Sequence, residues 1–386
     1  MRAALILFDD DDPLVSVLGV PWPEFRIRSA MRAGAMHIVV VAGRITPQIV
    51  TAIDRARAAG VSAALARTAM EIADLFHPEE AVLLLSGPAI VDDTMMAGLM
   101  SADRPTLVCV GADVDSGWEL IDARARWTGL ARLDGAQVRS TAAMVGDWDL
   151  GSTLLRQAVA AKARRQMLGE TDVLWRMERD EDRALAARRI IAGSSDEGGG
   201  WASRGIVKPL ARLASLAVAD RLAVVAPFSP LLAIAPLAAS AALAWCKWPV
   251  LAAALLFLGF FLDAFGALVE RATGQGPKFR EWRGWILNGV AVAALAGLIL
   301  PPSVDRAPLV LAVMLVVVTG LSDRLRHVRD DPAWLGDVPG YALIIGIASV
   351  FGATGLSIGL VVALTHAVIG LARLQNRLSG VLTQAR

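Results

Sequence analysis

The stretch "PVLAAALLFLGFFLDAFGALVERATGQGPKFREWRGWILNG", residues 249–289, stays apolar for about 20 residues, interrupted only by Asp263, and then turns basic. A helical run of that length fits the hydrocarbon core of a bilayer. Similar apolar runs occupy residues 230–245, 285–300, 309–321, 341–351 and 356–374, so the chain is expected to cross a membrane six times. Charge placement supports that number, because Lys and Arg gather in cytoplasmic loops. Six spans starting inside put Arg271, Lys278, Arg280, Arg283, Arg324, Arg326 and Arg329 in cytoplasmic loops, and Arg373, Arg377 and Arg386 in a cytoplasmic tail. Outside they leave only Lys247 and Arg306. The expected location is the cytoplasmic (inner) membrane, multi-pass, with both termini in the cytoplasm.

Upstream of these runs the composition changes. In residues 1–168 short apolar segments, "AALILF", "HIVVVAG", "AVLLLSG" and "TLVCVGA", alternate with the helical patterns "PEFRIRSAMRAGA", "PQIVTAIDRARAAG" and "DDTMMAGLMSA". Continuous apolar strands separated by helices predict an α/β domain whose parallel sheet is covered on both faces. "MRAALILFDDDD" has no small-residue cleavage site and reads as a first strand rather than a signal peptide. Residues 169–203 form a charged connector ending in the Gly/Ser-rich "AGSSDEGGG". Residues 204–228, which mix Arg204, Lys208, Arg212 and Arg221 with leucine and alanine, predict an amphipathic helix on the membrane surface. Residues 229–386 carry the spans. A net charge of +1 gives no reason to expect a nucleic-acid partner. Cys109 and Cys246 fit neither a disulfide framework nor a metal spacing, and both read as structural.

An ionisable residue inside a span is a candidate functional group. On position alone Asp263 reads equally well as a solvated carboxylate at headgroup level. On a helix, Gly266, Ala267, Glu270 and Arg271 share its face. Glu270 is seven residues away, about 10 Å of helical rise, which is too far for both carboxylates to bind one ion.

This region resembles the CDP-alcohol phosphotransferases, whose signature D-x2-D-G-x2-A-R-x8-G-x3-D-x3-D crosses the end of the second span and the start of the third. Laid on this chain without a gap, it places its first Asp on Asp263, its Arg on Arg271 and its last Asp on Asn288. Gly266, Ala267, Glu270, Arg280 and Gly284 stand where the family has Asp, Gly, Ala, Gly and Asp. Two further segments are similar: "GPKFREW" to the family's "SxFGxxLD", and "GGWASRGIVKPLARLAS" to the "DGxxSRxxNRPxS" that precedes the first span in the branch making phosphodiester-linked inositol compounds. That branch also carries a sugar-phosphate nucleotidyltransferase domain in front.

The resemblance implies a six-helix membrane bundle behind a nucleotidyltransferase-like domain. It implies transfer of a phospho-alcohol from a CDP-activated donor to a hydroxyl acceptor in phospholipid or polyol-phosphate synthesis. Asp263 and Asn288 take the catalytic positions, Asp263 is the metal ligand, and Arg204, Lys208, Arg271, Lys278 and Arg280 bind phosphate. In the family four carboxylates hold two divalent ions, Mg²⁺ or Mn²⁺, and the last Asp takes the acceptor's proton. Here most of those aspartates are replaced, and Asn288 cannot accept a proton. A catalytically impaired protein, binding lipid or nucleotide beside an active membrane enzyme, is therefore the second expectation. The partners implied are membrane lipids and CDP-alcohols or polyol phosphates, with room for a homodimer through the membrane domain.

The N-terminal segment "DDPLVSVLGVPWPEFRIRSAMRAGAMHIVVVAG" resembles the nucleotidyltransferase pattern "KPLxxVxGxPLIxRxIxxLxxAG" at Pro13, Leu14, Val17, Gly19, Pro21, Arg28, Ala33 and Gly34. Where that family has a Gly-rich phosphate loop, this chain has Phe8 and Asp9 to Asp12. The acidic run reads as a solvated turn, with a divalent-ion site as the alternative. The family's metal-binding Asp falls on Pro88, with Asp92 and Asp93 following. Asp147 and Asp149 have no metal spacing, Trp148 reads as packing, and His37, His77, His327 and His366 are scattered.

Overall fold

A computed structural model of the chain describes residues 2–8, 16–113, 118–145, 149–169, 175–176, 180–194, 202–246, 248–274 and 290. The chain divides into two compact units, Met1–Gly193 with Ala219–Arg221, and Ser194–Val218 with Leu222–Arg386.

The first unit is α/β. In chain order it contains β1 (Arg2–Phe8), β2 (Ser16–Val17), β3 (Val20–Pro21), α1 (Trp22–Arg32), β4 (His37–Ala42), α2 (Pro47–Ala58), β5 (Ser62–Ala66) and α3 (Ala69–Ile72). There follow β6 (Ala81–Leu85), β7 (Ala89–Ile90), α4 (Asp93–Met100), β8 (Thr106–Gly111), β9 (Glu119–Asp122) and β10 (Ala125–Asp134). α5 (Gly135–Val145), α6 (Leu150–Ala160), β11 (Arg164–Met167), β12 (Trp175–Arg176) and α7 (Asp180–Gly193) complete it.

The main sheet runs β11-β8-β10-β6-β1-β4-β5, with β9 attached to β10. β1 pairs in parallel with β4 and β6, and β4 with β5. β1, β4 and β6 are apolar strands read from the sequence and are largely buried on both faces, whereas β5 was not read and is only partly buried. Ala3, Leu5 and Leu7 join Val82, Leu84, Leu107 and Cys109 in a core closed by Val138 and Ala142 of α5 and by Leu154 and Ala158 of α6. Ala4, Ile6, Ile38, Val40, Leu83 and Leu85 alternate with them and are equally buried.

The sheet is mixed rather than parallel, which corrects the expectation. β10 enters antiparallel between β6 and β8. Its sequence, "ARWTGLARLD", hides it, since two arginines and a glycine interrupt the apolar pattern. The structure accounts for all three. Arg126 donates to the carbonyls of Ala112 and Trp118, and Arg132 pairs with Asp134 at 2.5 Å. Gly129 sits at φ 85° where the register with β8 shifts between Trp127 and Ala131, a bulge that keeps Trp127 and Leu130 buried. A Cβ on Gly129 would lie 1.8 Å from the Ser86 carbonyl oxygen.

The single surface helix expected over residues 204–228, which belongs to the second unit apart from Ala219–Arg221, is broken. It comprises a π-turn at Ser203–Val207, α8 (Lys208–Ala217), a 3₁₀ turn at Ala219–Arg221, α9 (Leu222–Val225) and a second 3₁₀ turn at Ala226–Phe228. Val218 leaves helical geometry at φ −119°, and Pro227 has no N–H to give to a continuing helix. α10 (Ser229–Trp245) and α11 (Pro249–Thr273) then form a hairpin turning at residues 246–248.

Small residues bring the two helices together. Ala233, Ser240, Ala244 and Ala252 are buried in this packed pair, and the Ser240 hydroxyl donates to the Ala252 carbonyl at 2.6 Å. A Cβ on Gly259 would lie 2.4 Å from Leu237 Cγ. The larger apolar side chains Leu231, Leu232, Val250, Leu251 and Leu258 point outward and are exposed, as are Trp245 and Trp248 at the turn.

Among the described residues one helix, Val250–Thr273, is long and apolar enough to cross a membrane, with a mean hydropathy of 2.2. A second qualifies if Ala219–Phe228 and Leu231–Trp245, bent by 60°, count as one broken span. Val290 apart, the four expected spans after residue 284 lie outside the described residues.

Both close approaches can be tested in the intact protein. Gly129→Ala has to separate two paired strands and should cost about 2 kcal/mol or more in thermal or denaturant unfolding. Gly259→Val should force α10 and α11 apart and lower the melting temperature in detergent or lipid, whereas Leu258→Val, on the exposed face, should leave it close to wild type.

Candidate functional site

α11 carries Asp263 just past its middle, half-buried, and ends at Gly274 in the left-handed conformation. Around its C-terminal end pack the π-turn Ser203–Val207, α8, α9 and the 3₁₀ turn Ala226–Phe228. Arg204 and Lys208 are thus carried on elements that pack directly on the helix bearing Asp263 and Arg271. α8 itself has three sectors. Ala211 and Ser215, together with Val207 just before it, are buried towards α11. Lys208 and Arg212, one turn apart, share a flank. Leu210, Leu213 and Leu216 are exposed, Leu213 to 64%.

Two contacts fix the last turns of α11. The Ser229 hydroxyl, at the start of α10, lies 3.1 Å from Glu270 Oε1, and the Arg271 guanidinium donates to the Ser194 carbonyl at 3.2 Å. Neither partner was legible in the sequence. The "SP" of Ser229 and Pro230, a helix-start signal, is the one cue that could have drawn attention to Ser229. Asn288, Lys278 and Arg280 lie outside the described residues.

Asp263 is the single carboxylate at its level of α11. The described residues contain no group of three or more His, Cys, Asp or Glu able to hold a metal ion. They do not supply the donor set of a two-ion centre. One carboxylate together with a ligand's own phosphates remains a chemically sufficient set for a single Mg²⁺.

In the α/β unit the strand order reverses at β1, with β4 on one side and β6 on the other. In open sheets of this kind ligands bind outside the carboxyl ends of the strands at the reversal. Here those ends are Phe8 and Leu85. The loop after β6 is held by Arg26, buried beneath it, which donates to the Gly87 carbonyl at 2.5 Å and stacks on Trp22 at 5.0 Å. The start of α6 abuts the same place, since a Cβ on Gly151 would be 3.0 Å from Ser86 Oγ and 3.4 Å from Leu7 Cδ1. The short strand β12 pairs antiparallel with β7, directly after this loop.

Several acids suggested by the sequence have structural employment. Asp92 caps α4 through the Thr94 and Met95 N–H groups, Asp93 pairs with Arg32 at 2.7 Å, and Asp149 caps α6. Asp9 to Asp12, Asp147 and Trp148 lie outside the described residues. Arg28 pairs with buried Glu24, which also holds Arg55 at 2.5 Å. Burial draws the Arg28 guanidinium below its usual pKa, against the pull of Glu24. His37 faces Glu80 at 3.5 Å and packs on Phe76. Burial pushes the Cys109 thiol up to about 11, whereas Cys246 is exposed at the α10–α11 turn.

Compared with models of known protein families and with curated protein sequences, the chain matches none.

Proposed function

We propose that the chain is a multi-pass protein of the cytoplasmic membrane, of the CDP-alcohol phosphotransferase type. Its α/β unit faces the cytoplasm, and a polar cleft beside Asp263 takes the phosphates of a CDP-activated alcohol. The observation that carries this reading is the arrangement around α11: a basic flank, Lys208 and Arg212 with Arg204 before them, on elements packed against the helix that carries Asp263 just past its middle. The membrane setting is supported by the outer face of the hairpin. Ala233, Ser240, Ala244, Ala252 and Gly259 let the helices approach around buried Leu237 and Leu256, while Leu231, Leu232, Val250, Leu251 and Leu258 are exposed and two tryptophans mark the turn, as suits helices surrounded by lipid.

In such a transfer the acceptor hydroxyl oxygen forms a bond to the phosphorus bearing the alcohol. The pyrophosphate P–O bond breaks, and CMP leaves with the electron pair. Arg204, Lys208 and Arg271 are the described residues whose charge suits the phosphates. Asp263 would hold the one Mg²⁺ or Mn²⁺ for which it has the chemistry. A second reading, binding without transfer, is favoured by the fate of the other acidic position on this face. Glu270 meets Ser229, and the described residues hold no group of three or more His, Cys, Asp or Glu that could bind a metal ion.

Purified full-length protein in lipid, given labelled CDP-alcohols with Mg²⁺ or Mn²⁺, should release CMP, and Asp263→Asn should abolish the release. Absence of release across several donors and acceptors, combined with tight binding of CDP or a phospholipid, would leave only the binding reading.

The topology has its own test. A membrane-impermeant maleimide added to intact cells should label Cys246, at the outer turn of the hairpin, and spare buried Cys109 with its raised pKa. Labelling of Cys246 only after lysis would overturn the proposed orientation.

A further inference from the structure

We infer that Glu270 is a positioning residue: its carboxylate ties the start of α10 to the end of α11 and so holds Asp263 and Arg271 in place against the basic flank of α8. The role rests on the cleft proposed above. Ser229 opens α10 and is 1% exposed. Its hydroxyl lies 2.9 Å from the Ala226 carbonyl and 3.1 Å from Glu270 Oε1. The hydroxyl has one proton for these two acceptors, and the ionised carboxylate is the stronger of them, while the Ala226 carbonyl also receives the Ser229 N–H.

The carboxylate also stands at the N-terminus of a 17-residue helix, where N–H groups lack intrahelical acceptors and the helix dipole is positive. Pro230, the second residue of that helix, contributes no N–H. The last turns of α11 therefore receive a charge-assisted tie from one side. The next residue, Arg271, ties them to the Ser194 carbonyl from another. Glu270 stands where the family resemblance calls for alanine, and about 10 Å of helical rise separates it from Asp263. Metal binding at Asp263 does not explain its presence, whereas the tie does. Asp263 is two turns earlier on the same rigid helix, so an error at Glu270 is carried to the cleft.

The test is a double-mutant cycle on Ser229→Ala and Glu270→Ala in full-length protein reconstituted in lipid nanodiscs, with Glu270→Gln as the conservative variant. Two measurements are made on each: amide hydrogen exchange over residues 226–232 and 263–273, and equilibrium binding of labelled CDP. Either single substitution is expected to speed exchange in both segments and weaken CDP binding about tenfold, the scale of one hydrogen bond to a charged group. The double variant should be no worse than the singles, because the two side chains act as one unit. Glu270→Gln keeps an oxygen at the Ser229 hydroxyl and should recover most of both properties.

Unchanged exchange in Glu270→Ala overturns the tie. Faster exchange with unchanged CDP affinity overturns the positioning role and leaves a purely structural contact. If wild-type protein binds no CDP, the reading of the cleft fails and the positioning role with it, while the exchange data still decide whether the tie exists.

Discussion

α11 must approach α10 so closely that Gly259 leaves no room for a Cβ, and the second unit is arranged around that approach. Small residues on both helices allow it, and the Ser240 bond to the Ala252 carbonyl fastens it near the turn. Leu237 and Leu256 are buried within the pair, while Leu231, Leu232, Val250, Leu251 and Leu258 are exposed. Close packing and a directed hydrogen bond join the two helices, the forces that would serve them in the proposed lipid setting. The far end of α11 then becomes the place where polar side chains gather, because α8, α9 and the start of α10 all converge there.

The parts of the fold that could be read from the sequence were those where one physical demand dominated. β1, β4, β6 and β8 are buried on both faces, so their apolar runs are unbroken and visible. β10 is just as buried, yet it spends Arg126 on the Ala112 and Trp118 carbonyls, Arg132 on Asp134 and Gly129 on a bulge, and a hydrophobic pattern counts all three as breaks. β11 carries no buried residue at all, which left nothing for hydrophobic alternation to find. The surface segment over residues 204–228 was recognised by its composition, but its breaks at Val218 and Pro227 are matters of backbone geometry.

The candidate site divides in the same way. Asp263 was legible because a carboxylate in an apolar run is costly and stands alone. Arg204 and Lys208 were singled out for phosphate only through the family resemblance, and the packing on α11 of the elements that carry them is a property of the folded unit. Glu270 illustrates what sequence spacing misses. Its partner Ser229 is 41 residues away, so a helical wheel could show which face it occupied but not what it met there. Asp92 and Asp93 carry the same lesson, since they follow the family's metal-binding position and yet one caps a helix and the other pairs with an arginine.

β11 ends the main sheet with Arg164, Arg165, Gln166 and Met167 all exposed, and its outer row of backbone groups faces no further strand of that sheet. An open edge of this kind invites pairing with the same edge of another copy, and the charge of Arg164 discourages it, while Arg165 is paired with Asp122 on β9. In the proposed membrane setting the matter would be acute. Neighbouring copies there would diffuse in two dimensions at a common height, so their edges would meet repeatedly in similar orientations. Arg164 then acts as a guard on colloidal behaviour, keeping crowded copies from stitching their sheets together.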